Sequence, residues 1–155
     1  MAALKYWVWL ATLPGLGTRT RLQLLEHFDS PEDIYYADEG ELLLIPDITR
    51  AQAALLADKS LERAEQVLAD CARDGQFILT MGDSLYPNRL RTIFDPPILL
   101  YGKGALPMFD DEVAVTVVGT RSCTPYGVRA ASQLGYELSK QGALLVSGMA
   151  KGIDG

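Results

Sequence analysis

Arg121 sits where an anion-binding group would be expected. It follows the run Val113-Ala-Val-Thr-Val-Val118 and the single glycine Gly119, and it precedes Thr124-Pro125. Residues 113–118 are β-branched or small and almost wholly apolar, as in a strand covered on both faces. Gly119 allows a sharp turn, Thr124 suits an N-cap, and Pro125 suits the first helical position because its missing N–H costs nothing there. Such a strand–turn–helix junction offers free amides and a positive dipole end to an anion. A guanidinium in the turn can grip a phosphate through two parallel hydrogen bonds. The same residues also fit a generic turn with a solvent-facing arginine. No G-x-G-x-x-G follows, since the next glycine is Gly127, and the chain holds no G-x-x-x-x-G-K-[ST] loop.

A second glycine loop adds to this. Ala143-Leu-Leu-Val-Ser147 reads as the next parallel strand and runs straight into Gly148-Met-Ala-Lys-Gly-Ile-Asp-Gly155. Between the loops, Tyr126 to Lys140 has Val128, Ala131, Leu134 and Leu138 at helical spacing, with Gly142 just past the end. The whole is one βαβ unit whose two carboxyl-end loops should lie side by side, at the edge where open α/β sheets bind ligands. Those loops offer the glycine amides of Gly119 and Gly148, the hydroxyls of Thr120, Ser122 and Ser147, and the cations Arg121 and Lys151.

The two loops, Val-Val-Gly-Thr-Arg-x-x-Thr-x-Tyr-Gly (117–127) and Val-Ser-Gly-Met-Ala-x-Gly-Ile-Asp (146–154), closely resemble the DNA-processing protein A family (DprA, also called Smf). So do Tyr86-Pro87, Leu90, Ile93 and Asp95 to Gly104 upstream, and Leu13-Pro-Gly-Leu-Gly17 and Phe28-Asp-Ser-Pro31 near the start. The resemblance spans essentially the whole chain. It implies a Rossmann-like domain that binds single-stranded DNA and helps load the RecA recombinase in natural transformation, with the DNA-phosphate arginine falling on Arg121. In that family the Rossmann-like domain continues past the G-I-D motif into a helix and further strands. The resemblance therefore implies that about half of the domain is in view, with the dimer surface and recombinase contacts in the other half. A piece of a longer protein and a shortened gene product would both read this way, and either would leave an unpaired strand edge.

The expected architecture is α/β. A helical domain of the helix-hairpin-helix or SAM-like kind spans 1–74, a turn-rich lead-in with short strands spans 75–112, and the first part of a Rossmann-like parallel sheet spans 113–155. In the first region, Leu4 to Thr12, Arg19 to His27 after a Thr18 cap, a helix starting at Ser30-Pro31, Glu39 to Leu44, Thr49 to Ala57 and Leu61 to Arg73 read as helices. Leu13-Pro-Gly-Leu-Gly17 fits a hairpin whose amides could touch a DNA phosphate through Gly15 and Gly17, and equally fits a plain tight turn. Ile45-Pro-Asp-Ile-Thr49 has Asp47 where the pattern wants glycine and reads as structural. In the lead-in, Ile98 to Tyr101 suggests a short strand and Pro96–Pro97 a candidate cis bond. Arg89 and Arg91 read as a solvated face or an extension of a basic surface. No repeats or low-complexity tracts stand out.

Composition narrows the function classes. Nearly half of the 155 residues are apolar, without the roughly eighteen-residue run that a membrane span needs, and the first ten residues do not resemble a secretory leader, so a cytoplasmic protein without membrane contact is expected. Cys71 and Cys123 have no C-x-x-C companion and only His27 to help, so neither a metal site nor another cofactor is expected. Residues 1–73 carry 7 Lys/Arg against 12 Asp/Glu, a net of −5, whereas 74–155 carry 7 against 8, a net of −1. Seven acids and no base lie from Asp29 to Asp47, a face that repels nucleic acid. DNA should therefore favour the βαβ edge.

Enzymatic machinery is not expected. His27 is far in sequence from the glycine loops, Ser147 has no evident base, and Asp154 reads as the cap of a following helix. Two other readings stay open. One is a Rossmann-like nucleotide phosphoribohydrolase, which would want a P-G-G-x-G-T-x-x-E motif downstream. The other is a non-catalytic interaction module built on the helical region.

Overall fold

The computed structural model describes residues 2–155, which divide into two compact units, one ending at Leu106 and one running from Pro107 to Gly155. In the first unit, α1 (Ala2–Thr12) is the central element, because Val8, Trp9 and Leu10 on it are all essentially solvent-free. It packs against α3 (Pro31–Tyr36) and α6 (Glu62–Arg73). The Trp9 ring meets Tyr35 edge-on at 5.1 Å, and its indole N–H donates to the Asp58 carbonyl at 2.9 Å, so the indole is buried with its polar group satisfied. The Lys59 ammonium lies over both rings, 5.5 Å from Trp9 and 5.3 Å from Tyr35. Burial there lowers its pKa.

Two hairpins match residue for residue. Leu13-Pro-Gly-Leu-Gly17 joins α1 to α2 (Thr18–His27), and Ile45-Pro-Asp-Ile-Thr49 joins α4 (Glu39–Leu43) to α5 (Arg50–Leu56). In each, the first and fourth residues are buried (Leu13 and Leu16, Ile45 and Ile48) and the fifth caps the next helix. The third residue is left-handed in both, with φ of +79° at Gly15 and +64° at Asp47, and aspartate is among the few side chains that visit this region readily. The chain thus contains an internal repeat too short and too diverged to stand out as one. The cap of α2 is Gly17, not Thr18, because the backbone is still extended at Gly17 and Thr18 is already helical. The Arg21 guanidinium closes the other end of the first hairpin, donating to the carbonyls of Leu10 at 2.8 Å and Leu13 at 3.0 Å.

Local chemistry sets the remaining helix starts. The Ser30 hydroxyl receives the Asp33 amide with Pro31 in the first turn, Asp38 and Glu41 form a capping box, and Thr49 and Gln52 form another. The Gln52 amide also donates to the Thr20 hydroxyl at 2.8 Å, tying α5 to α2. Strand β1 (Gln76–Thr80) pairs antiparallel with β2 (Leu99–Lys103), so the expected strand at 98–101 begins one residue later and runs two further. Phe77 faces Gly102, and its ring lies across the place where a side chain there would stand.

Between those strands, a short helix α7 (Asn88–Arg91) follows Tyr86, which is 1 % exposed. The Tyr86 hydroxyl donates to the Pro97 carbonyl at 2.6 Å, and the Arg91 guanidinium lies 4.9 Å over its ring. Arg91 also donates to the carbonyls of Met81 and Asp83, so it is a loop tie rather than a solvated cation. The Pro96–Pro97 bond is trans, the ordinary preference.

In the second unit, β3 (Ala114–Val117) and β4 (Leu144–Ser147) pair in parallel, with Val117 opposite Ser147, and α8 (Pro125–Lys140) crosses between them. The Thr124 hydroxyl accepts the Gly127 amide and Pro125 opens the helix, as expected. At the other end, the Gly142 amide donates to Ser139 and the Ala143 amide to Leu138, with Gly142 at φ +85°, a Schellman stop. The strands are not covered on both faces. Val113 is 73 % exposed and Val118 76 %, and none of residues 107–155 is buried, because one helix cannot cover both faces of a two-stranded sheet. Among the described residues, no helix is long and apolar enough to cross a membrane.

The loops after β3 and β4 cross one another. The Ile153 amide donates to the Thr120 carbonyl at 3.2 Å, and a Cβ on Gly152 would collide with that carbonyl and come within 2.7 Å of the Arg121 Cα. Gly152 has φ of +107°, which side chains rarely adopt.

Two stability predictions follow from these contacts. Tyr86→Phe leaves the partly buried Pro97 carbonyl without its donor and should cost about 1 kcal/mol in a denaturant melt. Gly152→Ala combines a disallowed φ with backbone overlap and should cost at least about 2 kcal/mol locally. Hydrogen exchange should then show the Ile153 amide losing its protection, and retained protection would refute the crossing.

Candidate nucleic-acid interface

Parallel pairing in register brings the carboxyl ends of β3 and β4 together at Val117 and Ser147, so the two glycine loops leave from one edge. Their crossing brings Arg121 beside Gly152, the residue after Lys151. Both cations are exposed, and neither has a hydrogen-bond or ion-pair partner among the described residues. The side-chain charge of the edge is therefore available to a ligand.

The backbone amides are a different matter. The Gly119 amide, which the sequence offers to an anion, donates to the Asp154 carboxylate at 2.9 Å. The other carboxylate oxygen lies 3.5 Å from where a Gly148 Cβ would stand, so this one carboxylate spans both glycine turns. Residues 151–154 form a turn. The Ser122 amide donates to the Thr120 hydroxyl, the Gly127 amide to the Thr124 hydroxyl, and the Met149 amide to the Ser147 hydroxyl. The Ser147 hydroxyl donates in turn to the Asp154 carbonyl, and the Thr120 hydroxyl to the Ser122 carbonyl. Of the residues singled out from the sequence, Gly119 and Thr120 thus hold the two loops to each other and Ser147 closes its own loop, while Arg121 and Lys151 are exposed and unpartnered. Asp154 is named from the sequence, but its bond to Gly119 across the two loops is not foreseen there. Its only signal was its place in the glycine loop.

The two hairpins of the helical unit differ in the same respect. The amides opening α5 are closed by the Thr49 and Gln52 side chains. At α2, Gly17 supplies no side-chain cap and the first turn contains no acid, so the amides beside Gly15 and Gly17 have no side-chain oxygen from the cap. Cys71 is buried, Cys123 is partly buried, and both are free thiols. No group of three or more His, Cys, Asp or Glu among the described residues could hold a metal ion.

Comparison with known proteins gives the family. The profile of the DNA recombination-mediator protein A family matches residues 77–155, just over half of the chain, and that of the SAM-like helix-hairpin-helix tandem matches residues 10–59, which include both hairpins. The chain is 32 % identical over 117 residues to the DNA processing protein DprA of Bacillus subtilis, covering 72 % of this chain and 39 % of that one. It is 31 % identical over 160 residues to protein Smf of Synechocystis, covering 96 % and 38 %. The X-ray structure of DNA processing protein A from Streptococcus pneumoniae superposes with a TM-score of 0.64 at 26 % identity, over 97 % of this chain and 50 % of that one. The chain spans less than half the length of these curated relatives. With two glycine loops meeting at one strand edge, a tandem of helix-hairpin-helix turns and these matches along its length, the chain belongs to the DNA recombination-mediator protein A (DprA/Smf) family of DNA processing proteins.

Proposed function

We propose that the crossed-loop edge binds single-stranded DNA through its phosphates without reading bases, and that the protein protects incoming DNA in natural transformation and helps load the RecA recombinase. The observation that carries this reading is the pair of exposed, unpartnered cations, Arg121 and Lys151, at the crossing of two loops whose own polar groups are largely engaged. Two cations so disposed suit successive phosphates of a flexible strand, and a guanidinium is the better of the two for bidentate contact. The exposed Ser122 hydroxyl is the supporting donor. The recombination-mediator description of the family and the DNA-processing names of the relatives support a polynucleotide partner.

The role is binding rather than catalysis. Ser147, the most plausible nucleophile of the edge, spends its hydroxyl on the Asp154 carbonyl and the Met149 amide. A nucleotide phosphoribohydrolase has less support, because the Gly119 amide that a nucleotide phosphate would use is occupied. The acidic stretch 29–47 repels a polyanion, so the strand follows the cationic edge. Within the helical unit, the first hairpin at Gly15 and Gly17 is the better candidate for an additional phosphate contact.

Fluorescence anisotropy with a labelled oligothymidine tests the reading. Arg121→Ala should weaken binding similarly on every oligonucleotide sequence and lower the slope of log affinity against log salt by about 0.7, the value of one single-strand phosphate contact. A sequence-selective loss, or none, would reject Arg121 as the principal contact.

A further inference from the structure

The Asp154 carboxylate sits where this class of fold usually receives an anion from outside. In open α/β domains, a ligand's phosphate rests on the amides of the first strand-to-helix turn. Here one Asp154 oxygen accepts the Gly119 amide at 2.9 Å and the other lies against Gly148, so the chain carries its own anion between both turns. That carboxylate is held from behind, because the carbonyl of the same residue accepts the Ser147 hydroxyl and the neighbouring Ile153 amide donates to Thr120. Ile153 is wedged closely as well: a Cβ on Gly119 would come within 2.7 Å of it. Behind the loops lies a cleft of about 200 Å³, walled by Val117, Leu145 and Ile153, with Asp154 on its lining. Ser132 and Ser147 also line it, and a phosphate entering there would meet the Asp154 carboxylate.

We propose that Asp154 is a specificity-determining residue that closes the phosphate cradle to free nucleotides and leaves the edge to polymeric single strands. The inference rests on the reading of Arg121 and Lys151 as outward phosphate contacts. A mononucleotide has a single phosphate, close to doubly charged at neutral pH, and needs the amide cradle to bind well. Asp154 refuses it by occupancy and by like charge. A polynucleotide presents singly charged phosphodiesters in series, and these can lie along the exposed cations without entering the cradle. Selection for polymer over monomer then follows from the plug and from the outward cations together.

Titration of the chain with thymidine monophosphate by calorimetry, alongside oligothymidine anisotropy, tests this. Asp154→Ala opens the Gly119 amide and removes the charge, and it should bind thymidine monophosphate at least about tenfold more tightly than the parent chain. Asp154→Asn keeps an acceptor for Gly119 and removes only the charge, so it should fall between the two. Because the asparagine variant retains the loop bond, it decides the matter if the alanine variant does not fold. If both variants fold and neither gains affinity for the monophosphate, or if the parent already binds it as tightly, the plug is refuted. Failure of the DNA reading looks different: the parent chain would ignore oligothymidine, or Arg121→Ala would bind it unchanged, whatever the monophosphate does.

Discussion

The edge of the second unit depends on one constraint, the close crossing of two loops that no side chain at position 152 would permit. With Gly152 pressed against Thr120 and Arg121, the Ile153 amide reaches the Thr120 carbonyl and Asp154 reaches Gly119. Remove the crossing and each loop becomes an independent glycine turn at the end of a four-residue strand. With it, the two become one surface whose backbone is tied internally. Arg121 and Lys151 are then presented by a braced support, although none of residues 107–155 is buried and no packed core fixes them.

The helical unit solves its own problem by repetition. A hydrophobic residue, a proline, a left-handed residue, a second hydrophobic residue and a cap make one turn between helices, and the unit uses this twice. The copies have diverged at the two positions that matter for anions. Gly15 and Gly17 leave the first turn free of side-chain oxygens, whereas Asp47 and Thr49 put a charge and a capping hydroxyl into the second. Both keep their buried pairs, so the hydrophobic requirement is met in each and only the chemistry of the turn differs.

Much of this was legible along the chain. Ser30-Pro31, Thr124-Pro125 and Gly142 announced their helix ends because capping is settled within four or five residues. The βαβ order and the meeting of its loops followed from general rules of handedness and connection. What escaped was settled at longer range. Asp154 meets Gly119 across 35 residues, and no local pattern announces a bond between two loops so far apart in sequence. Arg91 looked like a surface cation because its partners are carbonyls, which leave no mark in a sequence. Val113 to Val118 looked like a strand buried on both faces because apolar runs record what covers a strand in its final setting, and the described residues supply a single helix to do so.

The position of α1 also bears on how the protein can be observed. Both tryptophans of the chain, Trp7 and Trp9, lie on that one helix, within the first unit, and Trp9 is almost solvent-free. Indole emission is therefore a built-in reporter of the helical unit, whose packing around Trp9 sets its colour and intensity. The second unit has no indole, and its tyrosines, Tyr126 and Tyr136, are 74 % and 65 % exposed. A chain that looks fully native by tryptophan fluorescence has thus declared the state of one unit only, and the loops that carry Arg121 must be watched by another probe.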